Sequence, residues 1–207
     1  MLSISLFLAI VQPTTIIVKD AAELRRAAGN AKPGHRILLA PGDYQGGVHL
    51  VGLRGTAEAQ ITISAQDPKR PPRFLRGGSG LQLSSVAHIE ISHLVIEDAT
   101  GNGLNVDDGG REASSHDLTI RHIRVSRLPK GNHDGIKLSG IRKFRVESCQ
   151  ISDWGGSGID MVGCHQGVID RCSFSRGGDN GIQAKGGSQF VIITGCRFVE
   201  PGQRGVN

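Results

Sequence analysis

Polar side chains recur in this sequence at a spacing that could bring them onto one surface. Lys137, Asp160 and Gln183 stand about 23 residues apart, and His133 and Lys185 lie close to them along the chain. These residue types can remove a proton, neutralise a carboxylate and protonate a leaving oxygen. β-Elimination at a uronic acid has these three requirements. The spacing therefore predicts a surface on which acid–base chemistry of this kind could take place.

The catalytic roles divide among a few residues. A lysine amine acts as a base only where nearby cations or burial lower its pKa. Asp160 beside Lys137 would oppose that change, which favours Lys185 as the base. His133 could serve as acid or base near neutral pH. Arg204 could hold a substrate carboxylate through two parallel hydrogen bonds.

The aspartates allow two further interpretations. Asp134, Asp160 and Asp179 could coordinate calcium, which prefers oxygen ligands. The same carboxylates could supply the acid and the base of a glycoside hydrolase. From the residues alone, calcium binding, hydrolysis and elimination all stay open.

Substrate contacts are predicted from amide and aromatic side chains. Asn105, Gln183 and Asn207 could hydrogen-bond to sugar hydroxyls. Trp154 could be a platform for stacking sugars or a residue packed inside a turn. The simpler alternative is a solvated face, since polar residues keep any fold soluble. Asp-Gly and Asn-Gly pairs, as at Asp134 and Asn180, are common in turns.

A sequence repeat is what would align these residues. Each repeat opens with Gly-apolar-polar-apolar and continues with two further short alternating runs, as in Gly158-Ile-Asp-Met, Gly167-Val-Ile-Asp and Cys172-Ser-Phe. The opening glycines are Gly80, Gly103, Gly135, Gly158, Gly181 and Gly205. Three short strands in about 23 residues predict a solenoid whose coils stack on one another.

Stacking predicts which residues share a column. In a strand, alternate side chains point outward. One outward column would contain Gln82, Asn105, Lys137, Asp160, Gln183 and Asn207, and a second would contain Ser84, Asp107, Ser139, Val162 and Lys185. An inward column would contain Leu94, Ile123, Cys149, Cys172 and Cys196, which makes these cysteines buried thiols.

The two ends of the chain differ from the repeat. Residues 1–11 form an apolar run of signal-peptide length, so residues 1–15 are predicted as a signal peptide, with a secreted or periplasmic domain over 16–207. Asp20 and Glu23 predict a helix start, and the helix would cap the solenoid. The coil opened by Gly205 does not close, so we expect the solenoid to be incomplete at its C-terminal end.

The charge and the amino-acid composition narrow the classes of molecule that the protein could bind. The net charge is +5 and the pI is 9.3, which favours acidic partners. The charge is dispersed and aromatics make up 4% of residues, which disfavours nucleic acid. None of the four cysteines forms a CxxC pair and no histidine has zinc-finger spacing, which disfavours a zinc site.

The segments AAEL at 21–24, AKPGHRILLAPGDY at 31–44 and ITISA at 61–65 carry a family resemblance. They are similar to the start of the alginate lyase and chondroitinase B family, within the pectate-lyase-like superfamily. The resemblance implies an all-β, right-handed parallel β-helix and a polysaccharide lyase acting on an acidic polysaccharide. It also implies a lysine base and an arginine beside a calcium held by Asn and Glu residues. Related β-helices include hydrolases, C5-epimerases and non-catalytic glycan-binding proteins.

Overall fold

The computed structural model describes residues 13–111 and 115–207. The predicted export segment at 1–11 falls outside them. The elements, in chain order, are β1 (Thr15–Val18), α1 (Ala21–Gly29), β2 (Arg36–Leu39), β3 (Asp43–Gln45), β4 (Val48–Val51), β5 (Ile61–Ala65), β6 (Arg73–Leu75), β7 (Leu81–Ser84), β8 (Ala87–Ser92), β9 (Val95–Glu97), β10 (Leu104–Asp107), β11 (Ser115–Arg121), β12 (Arg124–Ser126), β13 (Ile136–Ser139), β14 (Ile141–Glu147), β15 (Gln150–Ser152), β16 (Ser157–Val162), β17 (His165–Asp170), β18 (Ser173–Ser175), β19 (Asn180–Lys185), β20 (Gln189–Thr194), β21 (Arg197–Val199) and β22 (Arg204–Val206).

The strands form three parallel sheets that run along the solenoid. Sheet A has the order β1-β2-β5-β8-β11-β14-β17-β20. Sheet B has the order β3-β6-β9-β12-β15-β18-β21, and sheet C has the order β4-β7-β10-β13-β16-β19-β22. Each coil gives one strand to each sheet and pairs with the coils on either side. The predicted all-β, right-handed parallel β-helix with three strands per coil is therefore confirmed.

The helix α1 begins as the sequence predicts. The side chain of Asp20 accepts a hydrogen bond from the Glu23 backbone N–H at 2.8 Å, and Glu23 in turn accepts one from the Lys19 backbone N–H at 2.9 Å. These contacts satisfy backbone donors that an uncapped helix would leave unpaired. Leu24 and Ala27 are buried, so the apolar side of α1 packs on the N-terminal end of the core.

The core consists of stacked columns of apolar side chains. In β13, Ile136 and Leu138 are fully buried, whereas Lys137 and Ser139 face outward. The predicted inward column is confirmed, and its cysteines are free thiols. Burial raises the pKa of the Cys149 thiol, as expected for a thiol that acts as a small apolar group. Cys196 is only half-buried.

Among the described residues, no helix combines the length and the apolar character that crossing a bilayer requires.

Candidate functional site

The outer face of sheet C carries the two polar columns that the repeat predicts. Backbone pairing places Asn105 beside Lys137, Lys137 beside Asp160, and Asp160 beside Gln183. The second column also has the predicted register, with Val162 beside Lys185. His49 extends the first column on the other side of Gln82. His49 was missed, although its coil opens with Gly47-Val48-His49-Leu50, the same Gly-apolar-polar-apolar pattern that opens the later repeats and that could have identified it.

A cluster of two lysines and two aspartates lies at the centre of this face. The Lys137 ammonium is 2.6 Å from Asp160 Oδ2 and 3.1 Å from Asp134 Oδ2. The Lys185 ammonium is 3.0 Å from Asp160 Oδ1. Each lysine thus takes one oxygen of the same carboxylate. Asp160 is fully buried beneath them, although its position on β16 points outward.

The two lysines differ in their exposure and in the number of carboxylates they contact. The side chain of Lys137 is 24% exposed and contacts two carboxylates, whereas that of Lys185 is 43% exposed and contacts one. Burial lowers the pKa of Lys137, but hydrogen bonds and charge from Asp160 and Asp134 outweigh it, so the pKa is raised overall. Lys137 therefore stays an ammonium at neutral pH and does not meet the condition for a base. Lys185 is the more accessible amine.

Asp134 has a supporting role within the fold. Its Oδ1 accepts a hydrogen bond from the Ser157 backbone N–H at 2.8 Å, and its own N–H donates to Asn102 Oδ1 at 2.8 Å. It is 2% exposed, so its carboxylate is out of reach of a polymer on the surface. It links its own coil to the coils on both sides and contacts the Lys137 ammonium.

Amide side chains continue the polar face on both sides of the cluster. Gln183 Oε1 lies 3.3 Å from both the Lys185 ammonium and the Ser157 hydroxyl. The amides of Gln82 and Asn105 both donate to Asp107 Oδ2, at 3.2 and 3.1 Å. These hydrogen bonds fix the outward side chains, which gives the face a defined pattern of donors and acceptors.

The predicted calcium ligands do not fit a calcium ion. Asp134 and Asp160 both bind the Lys137 ammonium, so a cation already occupies the position between them. Asp179 is exposed and accepts a hydrogen bond from the Gln203 amide. Within residues 13–111 and 115–207, the three do not form a group with metal-ligand spacing.

The prediction of Trp154 as a sugar platform is corrected. Its side chain is 3% exposed, its Nε1 donates to the Asn180 carbonyl at 2.9 Å, and its ring meets Phe174 edge to face. The ring therefore fills the core at a turn, because its indole N–H finds a backbone partner there. It cannot present a face to a sugar.

The remaining predicted residues lie at the borders of the face. His133 is half-buried in the turn before β13, next to Asp134. Arg204 and Asn207 are exposed at the last strand of sheet C, beyond Asn180 and Gln183. Of the predicted site residues, the structure thus brings Lys137, Asp160, Asp134 and Lys185 into the cluster, with Gln183 beside Lys185. Arg204 and Asn207 lie three coils further along the solenoid than Lys137.

Comparisons with known proteins support the fold. The model of the right-handed β-helix region matches residues 77–207. Among solved structures, an alginate lyase from Paenibacillus sp. FPU-7 superposes with a TM-score of 0.76 at 20% identity, covering 89% of this chain and 66% of its own. A GH136 lacto-N-biosidase from Eubacterium ramulus has a TM-score of 0.63 at 11% identity, covering 86% and 48%.

A third solved structure, a putative glycosyl hydrolase from Parabacteroides merdae, has a TM-score of 0.56 at 12% identity and covers 86% of this chain and 87% of its own. The chain spans about two thirds of the alginate lyase and about half of the lacto-N-biosidase. No curated protein matches the sequence. The repeat, the three parallel sheets and the match over residues 77–207 agree: the chain belongs to the right-handed β-helix family.

Proposed function

We propose that the outer face of sheet C binds an acidic, uronic-acid-containing polysaccharide and that the protein cleaves it as a polysaccharide lyase. The observation that carries this proposal is the cluster in which Lys137 and Lys185 share the buried carboxylate of Asp160. Amide side chains flank it along the solenoid axis. A polymer lying along that axis would meet amides, then ammonium groups, then amides again.

The cluster suggests a division of roles. Lys137 is held as an ammonium and would neutralise the substrate carboxylate, which acidifies the C5 proton. Lys185, the more exposed lysine and the one with a single carboxylate contact, is assigned to removal of that proton, a role that requires it to leave Asp160 and act as the free amine. His133 at the edge of the face would protonate the leaving glycosidic oxygen. Asp160 does not touch substrate in this scheme, since it is buried, and it positions both lysines.

The buried aspartates argue against hydrolysis on this face. A glycoside hydrolase needs two carboxylates in contact with the glycosidic bond. Asp134 and Asp160 are 2% and 0% exposed, and both are already paired with Lys137. They cannot flank a sugar unless the cluster opens.

One observation favours a second candidate, glycan binding without catalysis. Both lysines are ion-paired with Asp160, so each amine already contacts a carboxylate. A face of this kind could hold an anionic chain and leave it intact.

The test is an assay for unsaturated product by ultraviolet absorbance, with alginate, pectate and glycosaminoglycans as substrates. We expect Lys185→Ala to lower the rate by about a hundredfold or more, the usual effect of losing a general base. Lys32→Ala, which removes an exposed lysine near the N-terminal cap, is the matched control and should keep the wild-type rate.

Each other outcome has a distinct meaning. Binding of a polysaccharide in affinity electrophoresis without any product would favour the second candidate. New reducing ends without the double bond would indicate hydrolysis and contradict elimination. An active Lys185→Ala variant would overturn the assignment of the base.

A further inference from the structure

Two histidines and an aspartate from adjacent coils meet on sheet A, away from the face proposed to bind polysaccharide. His88 lies on β8, and His116 and Asp117 lie on β11, the neighbouring strand. One ring nitrogen of each histidine and one carboxylate oxygen of Asp117 all lie within 4.8 Å of one another. Among the described residues, this is the one group of histidine, cysteine and acidic side chains with metal-ligand spacing.

The geometry points the three groups at a common position. Asp117 Oδ2 is 2.7 Å from His116 Nδ1 and 3.8 Å from His88 Nε2. The imidazole rings are perpendicular, with centroids 5.1 Å apart, so they do not stack and both can direct a nitrogen toward the carboxylate. Small rotations of these side chains would bring the three atoms to the separations found around a tetrahedral ion.

The backbone explains why these side chains converge. His88 and Asp117 both have a left-handed conformation, with φ of 50° and 52°. A left-handed residue interrupts the alternation of the strand, so that the consecutive residues His116 and Asp117 both stay partly exposed on the same side. Aspartate and histidine are among the residues that tolerate this conformation best.

We propose that His88, His116 and Asp117 bind a divalent transition metal ion, zinc in the first instance. Imidazole nitrogens with one carboxylate are ligands that suit zinc and its neighbours, and they do not suit calcium or magnesium. The three side chains are 25%, 34% and 33% exposed, which leaves the ion a path from solvent and a fourth position for water. Bound metal would tie two adjacent coils together.

The charged residues around these three side chains affect how strongly a metal ion would bind. His88 and Asp117 line a surface depression of about 430 Å³ together with Lys143 and Arg145. These two cations oppose a divalent ion, so only ligands that form strong bonds to the metal would hold it there. That again favours a transition metal over a hard cation held mainly by charge.

The experiment is a zinc titration of the protein without a histidine tag, followed by competition with a chromophoric chelator. Cobalt substitution should give the visible absorption bands of a tetrahedral site. We expect His88→Asn and Asp117→Asn each to weaken binding by at least about tenfold, because even losing a group that only orients a ligand has that effect. Asparagine tolerates the left-handed conformation, so both variants should fold, as circular dichroism would verify.

The matched control is the double variant His93→Ala and His122→Ala. These histidines also lie on neighbouring coils, each directly after its strand of sheet A, but their rings are tilted against each other, with centroids 4.6 Å apart and an interplanar angle of 31°. The control should bind zinc as the wild type does, and zinc should raise the melting temperature of the control and not of His88→Asn. Equal binding by wild type and His88→Asn, or loss of binding in the control, would overturn the proposal. Neither result bears on lyase activity at sheet C.

Discussion

At the scale of single residues, Asp160 shows what a sequence pattern leaves undecided. Alternation along β16 correctly places it outward, between Lys137 and Gln183. It is nevertheless fully buried, because lysine side chains from two other strands fold over it. Strand periodicity fixes the direction in which a side chain points. Whether that side chain is buried depends on where the long side chains of neighbouring strands lie. The column was therefore predictable and the buried cluster was not.

This burial leads to a prediction about stability. Lys137→Met keeps most of the aliphatic stem but removes the charge that two buried carboxylates share. We expect the free energy of unfolding to fall by about 3 kcal/mol, the usual cost of leaving a buried charge without its partner. Urea denaturation measures the change.

The matched control is Lys143→Met, an exposed lysine in the next strand of the same coil, on β14. It should change stability by less than about 0.5 kcal/mol, as surface substitutions usually do. If both variants lost the same small amount of stability, the buried charges of Asp160 and Asp134 would not need Lys137 as a partner. The proposed positioning of the lysines would then be wrong.

At the scale of elements, the turns that follow sheet B carry a column of alternating charge. Every member has a left-handed backbone, and the signs alternate along the solenoid in the order Arg76, Asp98, Arg127, Asp153, Arg176 and Glu200. Arg127 binds Asp98 through two hydrogen bonds of 2.8 Å, and Arg176 binds Asp153 through two of 2.7 Å. One repeated position thus gives oppositely charged neighbours on successive coils.

This column predicts a dependence of stability on pH. Hydrogen bonds from Arg127 and Arg176 lower the pKa of Asp98 and of Asp153 below the usual value. The two ion pairs therefore contribute fully to stability above the pKa of an unfolded aspartate, about 3.9. This contribution is lost as the pH falls through the lower pKa values that the two aspartates have in the folded protein. The pairs are exposed, so the contribution is small.

The double variant Asp98→Asn and Asp153→Asn removes this contribution. Its stability should differ most from that of the wild type at about pH 5 and above, and the difference should shrink as the pH falls below about 3.9. Urea denaturation across this range measures it. A difference that stayed constant with pH would show that the arginine pairs add nothing.

Left-handed residues inside the strands of sheet A give rise to a feature that the repeat does not predict. The repeat predicts the pairing register on sheet C residue by residue, because the glycines keep every coil in phase. It does not predict that His116 and Asp117 share a side of sheet A, since strict alternation puts consecutive residues on opposite faces. The exception comes from a positive φ that no single residue type imposes. The histidine group was missed for this reason, and the choice between a sugar platform and a packed residue stayed open for Trp154 because a turn residue can point inward as well as outward.

At the scale of the whole molecule, the opening glycines of the repeat set how closely the coils stack. A β-carbon at Gly158 would lie 2.6 Å from the carbonyl oxygen of Gly181 in the next coil and 2.6 Å from the Phe174 ring. The corresponding β-carbons at Gly103 and Gly135 would also lie 2.6 Å from the carbonyl oxygen one coil further on. The obstruction is backbone, which cannot rotate away. Glycine is therefore a steric requirement of the stack, as well as the marker that revealed it.

Gly158→Ala should accordingly destabilise the protein by about 2 to 3 kcal/mol, as overpacking in a close-packed core does. Gly205→Ala tests the same column where the contact is relaxed, because a β-carbon there would lie 3.6 Å or more from Phe198. That variant should stay within about 0.5 kcal/mol of the wild type in urea denaturation. Each coil is held mainly by its neighbours, so the cost at Gly158 reflects local spacing between coils. Equal losses at the two positions would mean that glycine is needed there for backbone freedom and that the stacking distance does not depend on its missing side chain.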